Sequence, residues 1–237
     1  MASSIGRAVS FRPSPNVVLD WLMRLPVVGW FSYLSLNIAI DLATRVQLAD
    51  FAALGFAQTT DLLARFIYLT FMLTIACFAL MRRRPVSSAP GLLPKVTAFF
   101  GSFLIIGFAV FPAHETATSL DMVENLASIL LIIAGDALAI YVMCFLGRSF
   151  SIMPEARRLV TGGPYRFFRH PLYLAEEVAI IGVWLRVASP TSAVFLICHA
   201  LLQVMRMRFE EAALTEAFPE DYAEYCAKTA RIIPGLY

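Results

Sequence analysis

Residues 187–211 read VASPTSAVFLICHALLQVMRMRFEE, and this stretch decides what kind of protein the chain is. From Val187 to Met205 it carries no formal charge, and a helix needs about 20 mostly apolar residues to cross the hydrocarbon core of a bilayer. Ser189-Pro190 marks a tight turn at its start. Within and just beyond the apolar run, His199, Gln203, Arg206 and Glu210 follow at intervals of 4, 3 and 4 residues, so a helix puts all four on one face. Exposing such a stripe to lipid is costly; it must face protein, a ligand or a wet cavity. Arg208 falls on the opposite face and reaches headgroups by snorkelling. A plainer account makes Arg206 and Glu210 an i,i+4 ion pair at the membrane boundary.

Working outward, five more stretches come close to spanning length, near residues 26–45, 62–81, 96–113, 125–147 and 171–189. The whole chain agrees: of 237 residues, 59% are hydrophobic and 15% charged, with mean hydropathy +0.72. Soluble domains carry about 25% charged residues. Disordered, collagen-like and disulfide-scaffold classes are excluded. A net charge of +2, with basic residues in separate clusters, gives no support to a nucleic-acid partner. Cys77, Cys144, Cys198 and Cys226 lie far apart without a CxxC pair, so neither a disulfide framework nor a metal site is expected.

Basic residues set the orientation. Arg7, Arg12 and Arg24 precede the first span, Arg82 to Arg84 and Lys95 separate the second from the third, Arg148 to Arg169 follow the fourth, and Arg206 to Arg231 follow the last. The opposite loops hold Asp41, Asp50, Asp61, Glu115 and Asp121. The expectation is an all-α polytopic membrane protein of about six transmembrane helices, with a late helical hairpin, a cytoplasmic C-terminal segment and a cytoplasmic N-terminus. Residues 1–20 lack a continuous apolar core and contain Pro13 and Pro15, so they read as a cytoplasmic tail, not a cleaved signal peptide. The chain divides into 1–120 (tail and three helices) and 121–237 (three helices, a loop and the C-terminal segment), within one integrated membrane domain.

Polar residues concentrate in the second part. Residues 162–173, GGPYRFFRHPLY, combine helix-breaking Gly and Pro with Arg166, Arg169 and His170, and Pro171 opens the fifth span. Unpaired N–H groups at that helix start, beside two arginines, read as an anion-binding mouth at the membrane surface. A positive-inside loop anchored by Tyr165 and Tyr173 explains the charges but not the clustering of Gly, His and Pro. Glu176 and Glu177 need partners, for which Arg166, Arg169 or Arg206 are available; Asp136, and Asn37 with Asp41, suit buried interhelical hydrogen bonds.

The order Gly163-Pro164-Tyr165, Arg169-His170-Pro171-x-Tyr173, a hydrophobic hairpin, Arg206-x-x-x-Glu210-Glu211-x-x-Leu214, then Phe218-x-x-x-Tyr222-x-x-Tyr225 and Arg231-Ile232-Ile233-Pro234 resembles the integral-membrane methyltransferases. These include isoprenylcysteine carboxyl methyltransferases and phospholipid N-methyltransferases. The resemblance covers residues from about 146 to the C-terminus. It implies S-adenosylmethionine as cofactor, bound by Tyr165, Arg169, His170, Pro171, Tyr173, Glu210 and Glu211, with Arg206 and Glu210 as catalytic residues. It also implies a lipid-like or prenylated acceptor, contact with membrane lipids, and a bacterial inner membrane or endoplasmic reticulum as location. Here Leu174-Ala175-Glu176-Glu177 follows Pro-x-Tyr, where the family more often has small residues. A carboxylate acceptor would be oriented by Arg206 without a general base; an amine acceptor would need a base such as Glu210. No GxGxxG follows a strand, so a Rossmann-type cofactor site is not expected. Two alternatives share part of the pattern: an NADPH-dependent membrane reductase of the sterol-reductase type, and a non-enzymatic lipid-binding protein whose arginines grip anionic headgroups.

Overall fold

A computed structural model of the chain describes residues 17–50, 54–104 and 119–232. Seven helices dominate it: α1 (Val17–Leu48), α2 (Phe56–Met81), α3 (Leu93–Phe103), α4 (Ser119–Leu146), α5 (Pro171–Leu185), α6 (Pro190–Ala217) and α7 (Pro219–Lys228). Their ends follow local chemistry. Before α2, the Gln58 side chain accepts the Gly55 N–H at 2.9 Å. Gly147, at φ +49°, adopts the left-handed conformation that closes α4. Pro171, Pro190 and Pro219 each occupy a first helical position, where the missing N–H costs nothing. Ser189 caps α6, its Oγ accepting the Ser192 N–H at 3.1 Å. The helical hairpin expected at Ser189-Pro190 is therefore present.

α1, α2, α4 and α6 are long and apolar enough to cross a membrane. Their outward faces carry what a soluble protein hides: Leu36 and Ile40 on α1, Phe66 and Leu73 on α2, Val194, Ile197 and Leu201 on α6. The inward face of α6 carries His199, Gln203 and Arg206, all buried. This inversion of a soluble pattern is that of a multi-pass membrane protein. Six full crossings are not reached among the described residues: α5 has 15 residues and α3 has 11, while the second half of the span expected at 96–113 lies outside them.

The core joins Phe31, Phe71, Met72, Val142, Met143 and Leu172 from four helices. α4 and α5 approach closely through small residues: a Cβ on Gly135 would stand 2.4 Å from the Ala179 nitrogen, and one on Gly182 would stand 2.8 Å from the Ser128 carbonyl oxygen. The Ser128 hydroxyl donates to the Gly182 carbonyl at 2.6 Å. At one end of the bundle, Asp41 pairs with Arg45 at 3.0 Å and crosses to Arg65 on α2 at 2.7 Å. The crossing expected of the Asn37/Asp41 pair therefore belongs to Asp41, because Asn37 donates within its own helix to the Tyr33 carbonyl.

At the other end the basic loops are ordered by one another. Residues Ser87–Ser88 (β1) pair antiparallel with Glu155–Ala156 (β2). Arg148 Nε donates to the Met81 carbonyl at 3.0 Å and Arg157 Nε to the Arg83 carbonyl at 2.6 Å. These contacts fix the loop after α4 against the end of α2.

Candidate active site

The polar stripe of α6 is met by α5. Glu176 accepts from Gln203 Nε2 at 2.7 Å, and Glu177 lies 2.9 Å from His199 Nδ1. Helix α5 thus satisfies its two carboxylates from α6: of Arg166, Arg169 and Arg206, which the sequence offered as partners, Arg206 stands beside Glu176 and is bonded to the Gln203 that donates to it. Arg206 donates from one terminal nitrogen to Gln203 Oε1 at 2.7 Å, and its guanidinium carbon lies 5.0 Å from the centre of the Tyr173 ring. Its Nε is buried and, among the described residues, has no hydrogen-bond partner. Gly101 on α3 makes room for it: a Cβ there would lie 2.6 Å from Arg206 Cδ.

One turn on, Glu210 and Glu211 part company. Glu210 accepts the Tyr173 hydroxyl, and its second oxygen stands 4.0 Å from His170 Nδ1. Glu211 gathers three partners: Arg169 Nε at 3.1 Å, His170 Nε2 at 3.1 Å and Arg231, which contributes contacts of 3.0 and 2.6 Å. Arg169 also donates to the carbonyls of Cys226 at 3.1 Å and Thr229 at 2.9 Å.

This geometry corrects the anion-mouth reading of residues 162–173. The Arg169 N–H goes to the Ala230 carbonyl at 2.8 Å and the His170 N–H to the Arg231 carbonyl at 3.1 Å. The backbone donors and the Arg169 charge therefore hold the C-terminal segment beside the loop. Arg166 is exposed and lies over the Phe167 ring at 4.8 Å. Tyr225 completes the fastening, donating its hydroxyl to the Tyr165 carbonyl at 2.6 Å. Burial pushes the Tyr225 phenol up to about 12, so it remains a donor throughout the neutral range. Tyr165, fully enclosed, is also pushed well above its ordinary value by burial.

One continuous cavity touches most of these groups. Tyr165, Arg169, His170, Tyr173, Glu210 and Arg206 all line it, so the structure gathers six of the eight candidate residues along one wall. Pro171 is buried as the first residue of α5, and Glu211 stands behind His170. The cavity has two kinds of lining. Tyr222 and Tyr225 of α7 join His170 and Glu210 at a polar end, with the Tyr222 hydroxyl buried beside Cys226. Trp30, Phe31 and Leu34 of α1, Phe71 of α2 and Phe103 of α3 form an apolar part.

Those first-half residues were missed by sequence reasoning, which placed all chemistry after residue 120. No periodicity in α1 distinguishes a cavity-facing Phe31 from a lipid-facing Leu36. Among the described residues, no group of three or more His, Cys, Asp or Glu side chains is placed to hold a metal ion.

The phospholipid methyltransferase family model matches residues 123–221. The cobalt-zinc-cadmium resistance protein CzcN of Cupriavidus metallidurans is 39% identical over 33% of this chain and 36% of its own length. Protein-S-isoprenylcysteine O-methyltransferase A of Arabidopsis thaliana is 30% identical over 45% of this chain and 57% of its own. The protein-S-isoprenylcysteine O-methyltransferase of Saccharomyces cerevisiae is 34% identical over 57% of each. The chain thus spans between about a third and three-fifths of the length of the curated relatives it matches. The solved eukaryotic intramembrane Ras methyltransferase ICMT aligns with 93% of this chain and 87% of its own, at 19% identity and a TM-score of 0.47. The family match and these relatives make the second half of the chain similar to the integral-membrane methyltransferases.

Proposed function

We propose that this protein transfers a methyl group from S-adenosylmethionine to a lipid-like acceptor within the membrane, and that the acceptor is a prenylated carboxylate of the isoprenylcysteine type. The observation that carries this reading is one cavity lined both by polar groups of the loop, α6 and α7 and by apolar side chains of α1, α2 and α3, with the buried Arg206 among its lining residues.

The residues of the polar end fit the cofactor. An adenosyl amino acid brings an ammonium, a carboxylate and hydroxyls, and this end offers the Glu210 carboxylate and the His170 ring. Tyr165, Tyr173, His170 and Glu210 would hold it, with Arg169, Pro171 and Glu211 positioning that wall from behind. When bound, S-adenosylmethionine supplies an electrophilic methyl group on a sulfonium.

The chain's own part is alignment and exclusion of water. Arg206, with the Tyr173 ring against its face, would hold an acceptor carboxylate in one orientation. Because a carboxylate is already nucleophilic when ionised, no base is needed, and Glu210 is free to serve the cofactor side. The aromatic and aliphatic walls from α1, α2 and α3 take the acceptor's hydrocarbon chain and keep water from the reacting groups. The further elements of the reading are six crossings with α3 and α5 completing the set, both termini on the cytoplasmic side, and the two sequence halves acting as one integrated domain.

The test is binding and transfer in nanodiscs. S-adenosylhomocysteine should raise the melting temperature, and His170→Ala or Glu210→Ala should abolish the shift. Labelled methyl should pass to a farnesylated cysteine. Absence of any cofactor binding by calorimetry would overturn the proposal. Protection by NADPH instead would favour a reductase, and dependence of lipid binding on Arg166 but not on His170 would favour a lipid-binding protein.

A further inference from the structure

The two ends of the helical bundle treat their charges differently. At one end, Asp41 and Asp61 meet Arg45, Arg65 and Arg186 at 2.7–3.9 Å, so cations on α1, α2 and the end of α5 are answered within the protein. At the other end, where α2 and α4 finish, cations gather without that balance. Arg24 donates to the Leu80 carbonyl and Arg148 Nε to the Met81 carbonyl, both at 3.0 Å, so the last turn of α2 draws in arginines from two other elements. The Arg83 N–H bonds the Arg148 carbonyl at 2.7 Å, which sets Arg83, with Arg84 next to it in the chain, beside Arg148. All three are exposed. Among the described residues, no carboxylate forms an ion pair with any of them: Glu155 is taken by Arg157 at 2.5 Å, and Glu216 accepts the Ser87 hydroxyl at 3.0 Å. Like charges fixed together by backbone contacts repel one another until a counter-ion arrives from outside.

Depth identifies that counter-ion. Both α2 and α4 are long and apolar enough to cross a membrane, and the arginines come directly after their last apolar turns, where Leu80, Met81 and Phe145 are exposed. Trp21 is exposed too, its ring 5.0 Å from the Arg24 guanidinium that reaches the Leu80 carbonyl. An indole beside the end of a crossing helix marks the boundary between hydrocarbon and headgroups. A ligand at this level carries its charge on a headgroup and its chains beside the helices.

We propose that Arg83, Arg84 and Arg148 form a binding site for the phosphate of an anionic phospholipid, whose acyl chains lie against the outer faces of α2 and α4. None of the three arginines lines the cavity described above, so the bound lipid is not the methyl acceptor. Its effect falls on a wall of that cavity. The loop after Arg148 contributes Ser149, Phe150 and Ile152 to the lining, and it is held to the segment after α2 by the Arg83–Arg148 and Val86–Ala156 backbone bonds, each 2.7 Å. A phosphate shared by Arg83 and Arg148 ties the same two segments together, so the charge of the surrounding lipid sets how firmly this part of the wall is held.

The experiment places the full-length protein in nanodiscs that mix phosphatidylcholine with phosphatidylglycerol, and native mass spectrometry counts the lipid that stays bound on release. Phosphatidylglycerol should be retained over phosphatidylcholine by at least about 25-fold, and Arg83→Gln with Arg84→Gln should remove about that factor, since each cation at such a surface contributes about 5-fold. Arg166→Gln with Arg208→Gln deletes the same charge from exposed positions elsewhere and should change retention by less than about 3-fold. With the unaltered protein, phosphatidylglycerol in place of phosphatidylcholine should raise hydrogen-exchange protection of the Arg83 and Val86 amides by at least about 5-fold. Equal retention of the two lipids overturns the site, and so does an equal fall with both double variants, which would reduce it to diffuse surface charge. Inorganic phosphate giving the same protection in phosphatidylcholine nanodiscs overturns the lipid as occupant in favour of a soluble phosphate. Selective retention without the rise in protection overturns the link to the cavity wall.

Discussion

Replacing Glu211 by Gln tests how the polar wall of the cavity is held. Its carboxylate is mostly buried, with 14% of the side chain exposed, and joins three elements: the loop before α5 through Arg169 and His170, α6 itself, and the C-terminal segment through Arg231. Hydrogen bonds to charged groups contribute about 1.5–3 kcal/mol each, and breaking a buried ion pair costs about 3–5 kcal/mol. Gln keeps the shape and one acceptor oxygen, and the site is partly open to water, so we expect a loss of about 2–3 kcal/mol. That energy is spent on the docking of residues 229–231 beside residues 167–170, not on the helices. The backbone N–H groups of Arg169 and His170, bonded to Ala230 and Arg231 at 2.8 and 3.1 Å, report on it directly. A loss of 2–3 kcal/mol corresponds to an opening constant raised by about 30- to 160-fold, with hydrogen-exchange protection at these two amides falling by the same factor. Amides in the middle of α2 and α4 should keep their protection. A change below about 3-fold at Arg169 and His170 would refute the assignment of Glu211 as the fastening group. So would a uniform loss throughout the bundle.

Three further outcomes follow from the same geometry. If Arg206 holds the acceptor as proposed, Arg206→Ala should lower methyl transfer at least about 100-fold while S-adenosylhomocysteine affinity, measured by calorimetry, stays within about 3-fold. Gly135→Ala should destabilise the α4–α5 contact by about 1–3 kcal/mol, since the new Cβ would meet the backbone nitrogen of Ala179 at 2.4 Å, and thermal unfolding in detergent measures the loss. Tyr225→Phe removes the donor to the Tyr165 carbonyl at 2.6 Å and should weaken the docking of α7 on the loop before α5 by about 1 kcal/mol, read as a fall of about 5-fold in hydrogen-exchange protection at the Arg169 and His170 amides.

Some of the site was legible because membrane burial makes polar residues conspicuous. The 4-3-4 spacing of His199, Gln203, Arg206 and Glu210 sufficed to put them on one face, and that face is the inward one, because lipid does not solvate it. The loop was harder. Residues 162–170 break the α-helix before the start at Pro171, as expected, although Gly163–Arg166 form a 3₁₀ turn instead of irregular backbone, and their donors were assigned to an anion. In the fold the C-terminal segment takes them, a pairing about 60 residues distant that no local pattern announces. The same holds for Glu210 and Glu211. They are adjacent in sequence, and one faces the cavity while the other fastens the tail, because successive helical positions point about 100° apart.

The sequence by itself determined the membrane class, the helical hairpin at Ser189-Pro190 and the resemblance of the second half to a methyltransferase family, since apolar run length, turn residues and ordered motifs are local properties of the chain. Tertiary structure alone decided which carboxylates are satisfied and which are left open, and that Trp30, Phe31 and Gly101 from the first half help shape the cavity. Partnering is a matter of distance between helices far apart in sequence. Glu176 found Gln203 and Glu177 found His199, whereas the Oδ2 of Asp136, no different in its local sequence, found no hydrogen-bond partner among the described residues.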